Sequence, residues 1–336
     1  MRVAVDAMGG DHGPEVVVAG TLAALTDPAI TVTIVAIPAH VDGIRDRLSE
    51  TLRPRVDVLE AQDEIGMDES AAQAVRKKPN ASINVALREL KAGRADAMVS
   101  AGHSGAVLAG ALATLGRIPG IDRPALATVL PTIGVPTIML DLGAITDPKP
   151  AYLVQYAHMA VVYAKLVLGS DRPKVALLSN GEEPSKGNLL SQEVYALLSA
   201  DPGLNFVGNV EGKELLRGTI DVIVTDGFTG NIALKSMEGT VSVLTEVLRT
   251  EVTRTLPRKI LALAMRSAFR DVRLKLDYAE IGGAPLLGVN GAVIVAHGRS
   301  RERAIENAVR VAHRTASQGV PAAIQAAVGR GTSPPG

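Results

Sequence analysis

The sequence predicts a doubly wound α/β fold, in which helices cover both faces of a largely parallel sheet. Two observations lead to this prediction. Short runs of residues, most of them continuously apolar, alternate along the chain with longer stretches of helical periodicity. Hydrophobic residues make up 47% of the 336 residues and aromatic residues only 2%, so Ala, Val, Leu and Ile must build the core. Val and Ile favour strands that are covered on both faces, as this fold requires.

The elements follow one another in chain order. The apolar runs are interpreted as strands: Val3–Asp6, Thr31–Ala36, Val56–Leu59, Ala97–Ser100, Leu126–Leu130, Thr137–Leu140, Val175–Leu178, Val222–Thr225 and Val293–Ala296. Amphipathic stretches between many of them predict helices, for example Glu15–Leu25, Ser104–Leu115, Tyr152–Leu168 and Glu302–Ala316.

One α/β domain is expected over residues 1–330, because the chain has neither a fixed-period repeat nor a Pro- or Gly-rich linker. A helical excursion interrupts the alternation at about residues 237–280, since Met237 to Leu276 is helical in pattern with no strand between. Pro257 should begin a second helix there. Residues 331–336 are expected to form a disordered tail.

Composition excludes several classes of function. Lys and Arg together number 35, as do Asp and Glu, so no global charge attracts nucleic acid. The absence of cysteine excludes disulfides, thiolate nucleophiles and cysteine metal sites. The first residues are typical of a strand and not of a signal peptide, and no apolar run has the length of a membrane span.

Polar loops follow several predicted strands, and ligands of doubly wound folds bind beyond the carboxyl ends of the strands. The first loop runs from Asp6 to Pro14 and contains Gly9, Gly10 and Asp11. Its glycines let the backbone approach a ligand. The alternative is a tight turn in which Asp11 caps the next helix.

The second loop, Ser100–Gly105, leads directly into a predicted helix. The free N–H groups of Gly102, Ser104 and Gly105 and the helix dipole would suit an anion such as phosphate, and His103 could add a hydrogen bond or a proton. An ordinary strand-to-helix turn is the alternative. The spacing does not match a Gly-x-Ser-x-Gly nucleophile elbow, and the chain contains no Walker A motif.

Two further loops carry candidate polar groups. In Asn180–Asn188, Lys186 could bind an anionic oxygen while Gly187 and Asn188 present hydrogen-bond donors. In the loop 226–231, Asp226 could orient a Lys, a His or an N–H group. For both loops the alternative is a solvated turn.

Two other segments are expected to be loops. Residues 141–150 contain Asp141 and Lys149 as polar candidates, and two prolines there fix an extended turn. Residues 281–291 are glycine-rich and apolar, which could let a chain or a ligand pass close to the backbone.

These segments, in this order, resemble the PlsX family of phosphate acyltransferases. The resemblance covers nearly the whole chain, and the ordered set is far more specific than any one motif. The matching segments are Val5–Asp11, Ser100–Gly105, Asp141–Gly143, Gly181–Asn188, Asp226–Asn231, Gly282–Gly291 and Ala296–Gly298.

The resemblance implies a three-layer α/β/α fold related to the isocitrate and isopropylmalate dehydrogenases. It implies a homodimer without a cofactor or metal, which uses acyl carrier protein as acyl donor and inorganic phosphate as acceptor. It also implies a cytoplasmic protein with a peripheral link to the membrane, where a glycerol-3-phosphate acyltransferase would use the product.

The family motifs carry the expected site residues. Those expected to be catalytic are His103, Lys186, Asn188 and Asp226. Those expected to bind phosphate or substrate are Asp6, Gly9, Gly10, Asp11, Gly102, Ser104, Gly105, Gly187, Thr229, Gly230, Asn231 and His297.

The excursion contains a basic stretch, predicted as one amphipathic helix over Leu256–Leu276. On a wheel of 3.6 residues per turn, its basic face consists of Lys259, Arg266, Arg270 and Arg273. Such a face suits an anionic lipid surface or an acidic carrier protein. The alternative is a solvated face on a helix that packs in the dimer.

Two rival functions are alternatives to this one. A metal- and nicotinamide-dependent decarboxylating dehydrogenase would need convergent carboxylates, but Asp6, Asp11, Asp141 and Asp226 are scattered along the sequence. A membrane-associated scaffold without activity would explain the basic helix but not the polar loops.

Overall fold

A computed structural model describes residues 1–276 and 282–331 of the chain, without the side chains of residues 273–276 and 329–331. Of the tail predicted to be disordered, Gly331 ends the last helix and residues 332–336 lie outside the described residues.

The described residues form one mixed sheet of 11 strands. In chain order the strands are β1 Arg2–Asp6, β2 Thr31–Ala36, β3 Val56–Glu60, β4 Ala97–Ser100, β5 Ala125–Leu130, β6 Thr137–Leu140, β7 Lys174–Leu178, β8 Asn205–Val210, β9 Val222–Val224, β10 Ala284–Leu287 and β11 Ala292–Val295. Their order across the sheet is β3-β2-β1-β4-β11-β10-β5-β6-β9-β7-β8.

The sheet consists of two parallel groups that run in opposite directions. Strands β3, β2, β1, β4 and β11 form the first group, and β6, β9, β7 and β8 form the second. Between them, β10 and β5 pair antiparallel with each other and with their outer neighbours. Val295 at the end of β11 pairs with Ala284, and Leu140 at the end of β6 pairs with Ala127. The carboxyl ends of both groups therefore meet at the same level of the sheet, on either side of β10 and β5.

The helices cover both faces of the sheet. They are α1 Pro14–Ala24, α2 Pro38–Asp46, α3 Ala71–Lys77, α4 Ser82–Lys91, α5 Ser104–Thr114, α6 Pro150–Leu166, α7 Leu189–Ala200, α8 Gly227–Thr253, α9 Leu256–Ala264, α10 Arg266–Leu276, α11 Glu302–Ser317 and α12 Val320–Gly331. Proline occupies the first turn of α1, α2, α6 and α9, where its missing N–H costs no hydrogen bond.

Alternation along the strands gives each face of the sheet its own core. In β1, Val3 and Val5 pack in the cluster under α1, α2 and α11, whereas Ala4 packs in the cluster under α3, α4 and α5. The second group of strands is covered by α6, α7 and α12 on one face and by the start of α8 on the other. This arrangement confirms the predicted three-layer α/β/α fold.

Most predicted elements occur within a residue or two of their expected bounds. The interpretation of residues 281–291 as a loop is wrong, because these residues contain β10. Strand β8 was not predicted. The division of the chain into a single domain over 1–330 stays a prediction.

The helical excursion is present but differs from its prediction. It begins earlier, because α8 already starts at Gly227. Leu256 to Leu276 is not one helix: α9 ends at Ala264, Met265 has non-helical dihedral angles, and α10 follows. The single basic face predicted from one helical wheel is therefore wrong, although Arg266 and Arg270 remain one turn apart on α10. The side chain of Arg273 lies outside the described residues.

Candidate active site

A cleft opens where the carboxyl ends of the two strand groups meet. It holds about 390 Å³ and lies between β4 and β11 on one side and β6 and α8 on the other. Its apolar lining includes Leu108, Leu126, Leu130, Leu142, Leu234, Leu286 and Val295. Its polar lining includes Asp11, Ser104, Asn231, Lys235, Glu238, His297 and Ser300. A cleft of this kind can bind a long apolar group whose reactive end is polar.

The first and second loops touch each other on one side of the cleft. A Cβ atom on Gly9 would lie 2.3 Å from the backbone nitrogen of Gly102, so only glycine fits there. Ser100 Oγ donates to Asp6 at 2.7 Å and accepts the Gly102 N–H at 3.1 Å. This hydrogen-bonded chain fixes the loop that leads into α5.

Asp6 does not line the cleft, but its hydrogen bond with Ser100 helps to hold the loop that does. Its side chain is 1% exposed, and it also accepts the Met8 N–H at 3.1 Å. Burial raises the pKa of Asp6 above its ordinary value, although the hydrogen bonds from Ser100 and Met8 oppose the shift. Asp11, in contrast, lines the cleft, and its N–H donates to the Gly298 carbonyl at 2.7 Å. Asp11 does not cap α1, whose N-cap is Gly13.

The start of α5 faces the cleft, but His103 does not line it. Gly102, Ser104 and Gly105 are lining residues. His103 is the N-cap residue of α5 and directs Nε2 to the carbonyl oxygen of Glu69, 3.1 Å away. The Gly102 N–H is already donated to Ser100 Oγ, so the N–H groups of Ser104 and Gly105 stay as the candidates for binding phosphate, and His103 contacts Glu69 instead.

On the opposite side, the start of α8 packs tightly on the loop after β6. A Cβ atom on Gly230 would lie 2.0 Å from the Asp141 carbonyl oxygen, and one on Gly227 would lie 2.5 Å from that of Ile145. The buried Asp141 carboxylate accepts the N–H groups of Leu142 and Ile145 at 2.7 and 2.8 Å. This close packing brings Asn231, Leu234 and Lys235 of α8 to the cleft.

Several predicted site residues have structural partners outside the cleft. Asp226 caps α8 by accepting the Thr229 N–H at 2.8 Å. Asn188 caps α7 by accepting the Ser191 N–H at 2.9 Å, and Lys186 is exposed on the same loop. That loop follows β7, which lies two strands beyond β6, or roughly 10 Å at the usual strand spacing.

The structure therefore gathers part of the predicted site. Asp11, Gly102, Ser104, Gly105, Asn231 and His297 line one cleft, and Gly9 and Gly10 lie behind Asp11. The Lys186 loop is not part of the cleft lining. Catalytic or binding roles for all of these residues stay predictions.

Two charged residues of the cleft were missed by sequence reasoning. Lys235 and Glu238 lie on α8, one and two turns after Asn231, and Lys235 Nζ lies 3.2 Å from His297 Nε2 across the cleft. Their spacing was the available signal: Lys235 follows Asn231 by four residues and Glu238 follows Lys235 by three, which continues the same helical face.

Within the described residues, no group of three or more His, Asp or Glu side chains could hold a metal ion. Among the described helices, none combines the length and the apolar character that a membrane crossing requires.

Comparison with known proteins identifies a family that the chain resembles over most of its length. The model of a family described as "Fatty acid synthesis protein" matches residues 1–323. The chain is 48% identical over 325 residues to the phosphate acyltransferase of Heliobacterium modesticaldum, covering 97% of each chain. It is 46% identical over 322 residues to that of Geobacter sp. (strain M21), covering 95% of this chain and 90% of the relative.

Solved structures share the fold at low sequence identity. A phosphotransacetylase from Streptococcus pyogenes superposes with a TM-score of 0.62 at 18% identity, and 94% of each chain is covered. A putative 4-hydroxythreonine-4-phosphate dehydrogenase from Salmonella typhimurium superposes with a TM-score of 0.51 at 14% identity, covering 93% of this chain and 98% of that one. The predicted likeness to a dehydrogenase fold is confirmed.

Proposed function

The chain belongs to the phosphate acyltransferase family, and from this membership we propose that it moves a fatty acyl group from acyl carrier protein to inorganic phosphate. The enzyme class, acyltransferase, follows from the family. The acyl donor and the acceptor are the proposed part. The products would be acyl phosphate, a precursor for phospholipid synthesis, and the free carrier thiol.

The observation that supports this function is the composition of the cleft. Its apolar side chains suit a fatty acyl chain, and the polar groups around Asn231, Lys235 and His297 suit the reacting phosphate and carbonyl. The N–H groups of Ser104 and Gly105 at the start of α5 add a favourable place for negative charge. One cleft thus offers both environments that the transfer needs.

The chemistry requires no covalent acyl-enzyme. An oxygen of monohydrogen phosphate attacks the thioester carbonyl, a C–O bond forms, the C–S bond breaks, and the phosphate proton ends on the departing sulfur. The protein's tasks are to hold phosphate against the thioester and to stabilise the oxyanion of the tetrahedral intermediate. Ser104 lines the cleft, but its neighbour His103 directs Nε2 to Glu69 and is not placed to activate it.

Two kinds of partner belong to the proposal. We infer a homodimer, supported by an apolar stripe on α8 that the described residues leave exposed, formed by Phe228, Ile232, Val243 and Val247. We infer that Lys259, Arg266, Arg270 and Arg273, on α9 and α10, contact the acidic carrier protein or an anionic membrane surface. A cytoplasmic protein that docks peripherally at the membrane could pass acyl phosphate to a membrane glycerol-3-phosphate acyltransferase.

Release of carrier thiol tests the function. Purified protein is mixed with acyl carrier protein that bears a palmitoyl thioester, and free thiol is measured with and without inorganic phosphate. We expect thiol release that depends on phosphate and on enzyme concentration, with acyl phosphate formed in equal amount. Equal release with and without phosphate would identify a thioesterase and contradict the proposal.

A further inference from the structure

Lys235 and His297 meet across the cleft in a contact between two nitrogen atoms. Lys235 Nζ, on α8, lies 3.2 Å from His297 Nε2, which follows β11. On its other side, Lys235 Nζ lies 3.1 Å from Glu238 Oε2. His297 Nδ1 accepts the N–H of Arg299 at 3.1 Å. The contact therefore joins the two halves of the cleft wall.

Both nitrogens at this contact can act as hydrogen-bond donors. Because Nδ1 of His297 accepts a backbone N–H, a neutral imidazole carries its proton on Nε2, on the side of Lys235. A lysine ammonium has only donors. In these protonation states both nitrogens are donors 3.2 Å apart at the cleft, and one anionic oxygen beside them can accept from both.

The charges that face His297 favour its neutral form. Burial lowers the pKa of His297 first, and the positive charge of Lys235 lowers it further. Arg299 on its own loop acts in the same direction, while Glu238 from α8 and Asp11 from the loop after β1 oppose the shift. The neutral donor arrangement is thus the one expected at neutral pH.

We propose that Lys235 Nζ and His297 Nε2 form a two-donor subsite that binds one oxygen of the phosphate substrate, with Glu238 as the residue that positions Lys235. The proposal rests on the proposed function for the identity of the anion. The same donors could bind the phosphodiester of the carrier's pantetheine arm, which is also a tetrahedral oxyanion. The experiment must therefore separate the two phosphates.

Steady-state kinetics separate the two phosphates, because the KM for inorganic phosphate and the KM for the acyl carrier protein are measured independently. Losing one charged hydrogen bond should raise the phosphate KM of Lys235→Met about 10- to 100-fold. The acyl carrier KM should stay unchanged, and Lys235→Arg should retain part of the phosphate affinity. Lys91→Met, at an exposed lysine on α4, is the matched control. A rise confined to the acyl carrier KM would assign the subsite to the pantetheine phosphate and overturn the proposal.

Histidine titration gives a second readout that a purely structural role would not change. The chain has only 6 histidines, so carbon-13-labelled histidine resonances can be followed by NMR and His297 identified with His297→Gln. We expect inorganic phosphate alone to raise the pKa of His297 in the native protein, because a nearby anion favours the imidazolium. Lys235→Met should raise it without phosphate, and Glu238→Gln should lower it, since each removes one facing charge.

The outcomes separate this proposal from the proposed function. Phosphate-dependent thiol release with unchanged phosphate KM in folded Lys235→Met would reject the subsite and leave the function intact. Absence of phosphate-dependent release in the native enzyme would reject the function, whereas the NMR titration with inorganic phosphate would still decide the subsite. A His297 resonance that ignores phosphate overturns the subsite in either case.

Discussion

Asp6 holds two loops of the cleft together while its own side chain stays buried. It accepts Ser100 Oγ and the Met8 N–H, and Ser100 in turn accepts the Gly102 N–H. Asp6 was predicted to bind substrate because it lies in a segment, Val5–Asp11, that matches the family motifs. The geometry shows how such a residue can support a site without lining the cleft.

The buried carboxyl group makes stability depend on pH. Because the pKa of Asp6 is raised in the folded state, the folded protein binds this proton more tightly than the unfolded chain does. The associated stabilisation is present at pH values below the unfolded pKa of about 3.9. It is lost as pH rises through the folded pKa, where ionisation of the buried group costs free energy.

Asp6→Asn should therefore change the pH dependence of thermal unfolding. The substitution removes the ionisation, although it also disturbs the bond from Ser100 by an amount independent of pH. Relative to the native protein, the variant's melting temperature should improve as pH rises from about 4 to about 8. Asp68→Asn, at an exposed aspartate, controls for the loss of a carboxylate. Parallel curves for native and Asp6→Asn proteins would contradict a raised pKa.

Lys235 could not be predicted as a cleft residue from the sequence alone. Ligands of this fold bind at loops that follow strands. Of the six predicted site residues that line the cleft, five lie in such loops or at the first residues of a helix. Lys235 lies in the third turn of α8, where a solvent-facing lysine is ordinary. Only the close packing of Gly227 and Gly230 on the β6 loop turns that helical face into the cleft.

At the scale of elements, the buried parallel strands were predictable from their apolar runs. Strands β8 and β10 were not predicted, and each has a physical reason. Strand β8 lies at the edge of the sheet, so Asn205, Gly208 and Asn209 interrupt its apolar pattern without disturbing a second neighbour. Strand β10 contains Pro285 and lies between Gly283 and Gly288, which suggest a loop. Antiparallel joining strands of this kind carry no repeating α/β signal.

The excursion is the element whose prediction failed in detail. Helical periodicity correctly indicated helices. A single helical wheel over residues 256–276 requires one continuous helix, however, and the helix breaks at Met265. On α9 and α10 the apolar side chains are exposed as well, for example Leu261 at 65% and Val272 at 52%. Basic and apolar side chains exposed on these two consecutive helices suit docking to an anionic, partly apolar surface.

Charge reversal on α10 tests the docking. Each Lys or Arg near an anionic surface contributes about 1 kcal/mol, so Arg266→Glu with Arg270→Glu should weaken vesicle binding roughly 30-fold or more at low salt. Sedimentation with phosphatidylglycerol vesicles and the acyl carrier KM are measured in parallel. Vesicle loss alone assigns the face to membrane, and a raised carrier KM alone assigns it to the carrier.

The control for this double variant carries the same change in charge. Arg45→Glu with Arg47→Glu places this change at the end of α2, where Arg45 in the last turn and Arg47 at the C-cap are both exposed. If the folded α10 variant behaves like this control in both measurements, Arg266 and Arg270 belong only to a solvated surface.

At the scale of the whole molecule, the opposed strand groups explain why the polar loops converge. A single parallel sheet would place all its loops along one edge, up to ten strands apart. Here the second group runs the other way and is joined through β10 and β5, so the ends of β4, β11 and β6 face one cleft. Sequence periodicity predicted the strands but contains no information on this reversal.

The long helix α8 also extends beyond the core that its first turns cover. From Ser242 onward its described side chains are almost all exposed, including Val243 at 61% and Val247 at 53%. Toward the start of the same helix, Phe228 and Ile232 are 59% and 49% exposed. An apolar stripe along one exposed helix is costly in water, and a second copy of the helix would cover it in a symmetric dimer.

Carboxylates placed on that stripe should separate the dimer. Val243→Glu with Val247→Glu puts two charges where apolar contacts are expected, and their burial without partners would cost more than the contacts contribute. Light scattering after size exclusion should show two 34.9 kDa chains per particle for the native protein and one for the variant. Ser242→Glu with Thr245→Glu adds the same charge to the opposite side of these turns and should remain dimeric. If the native protein is monomeric, or if the valine variant keeps its dimer while folded, the stripe on α8 is not the subunit interface.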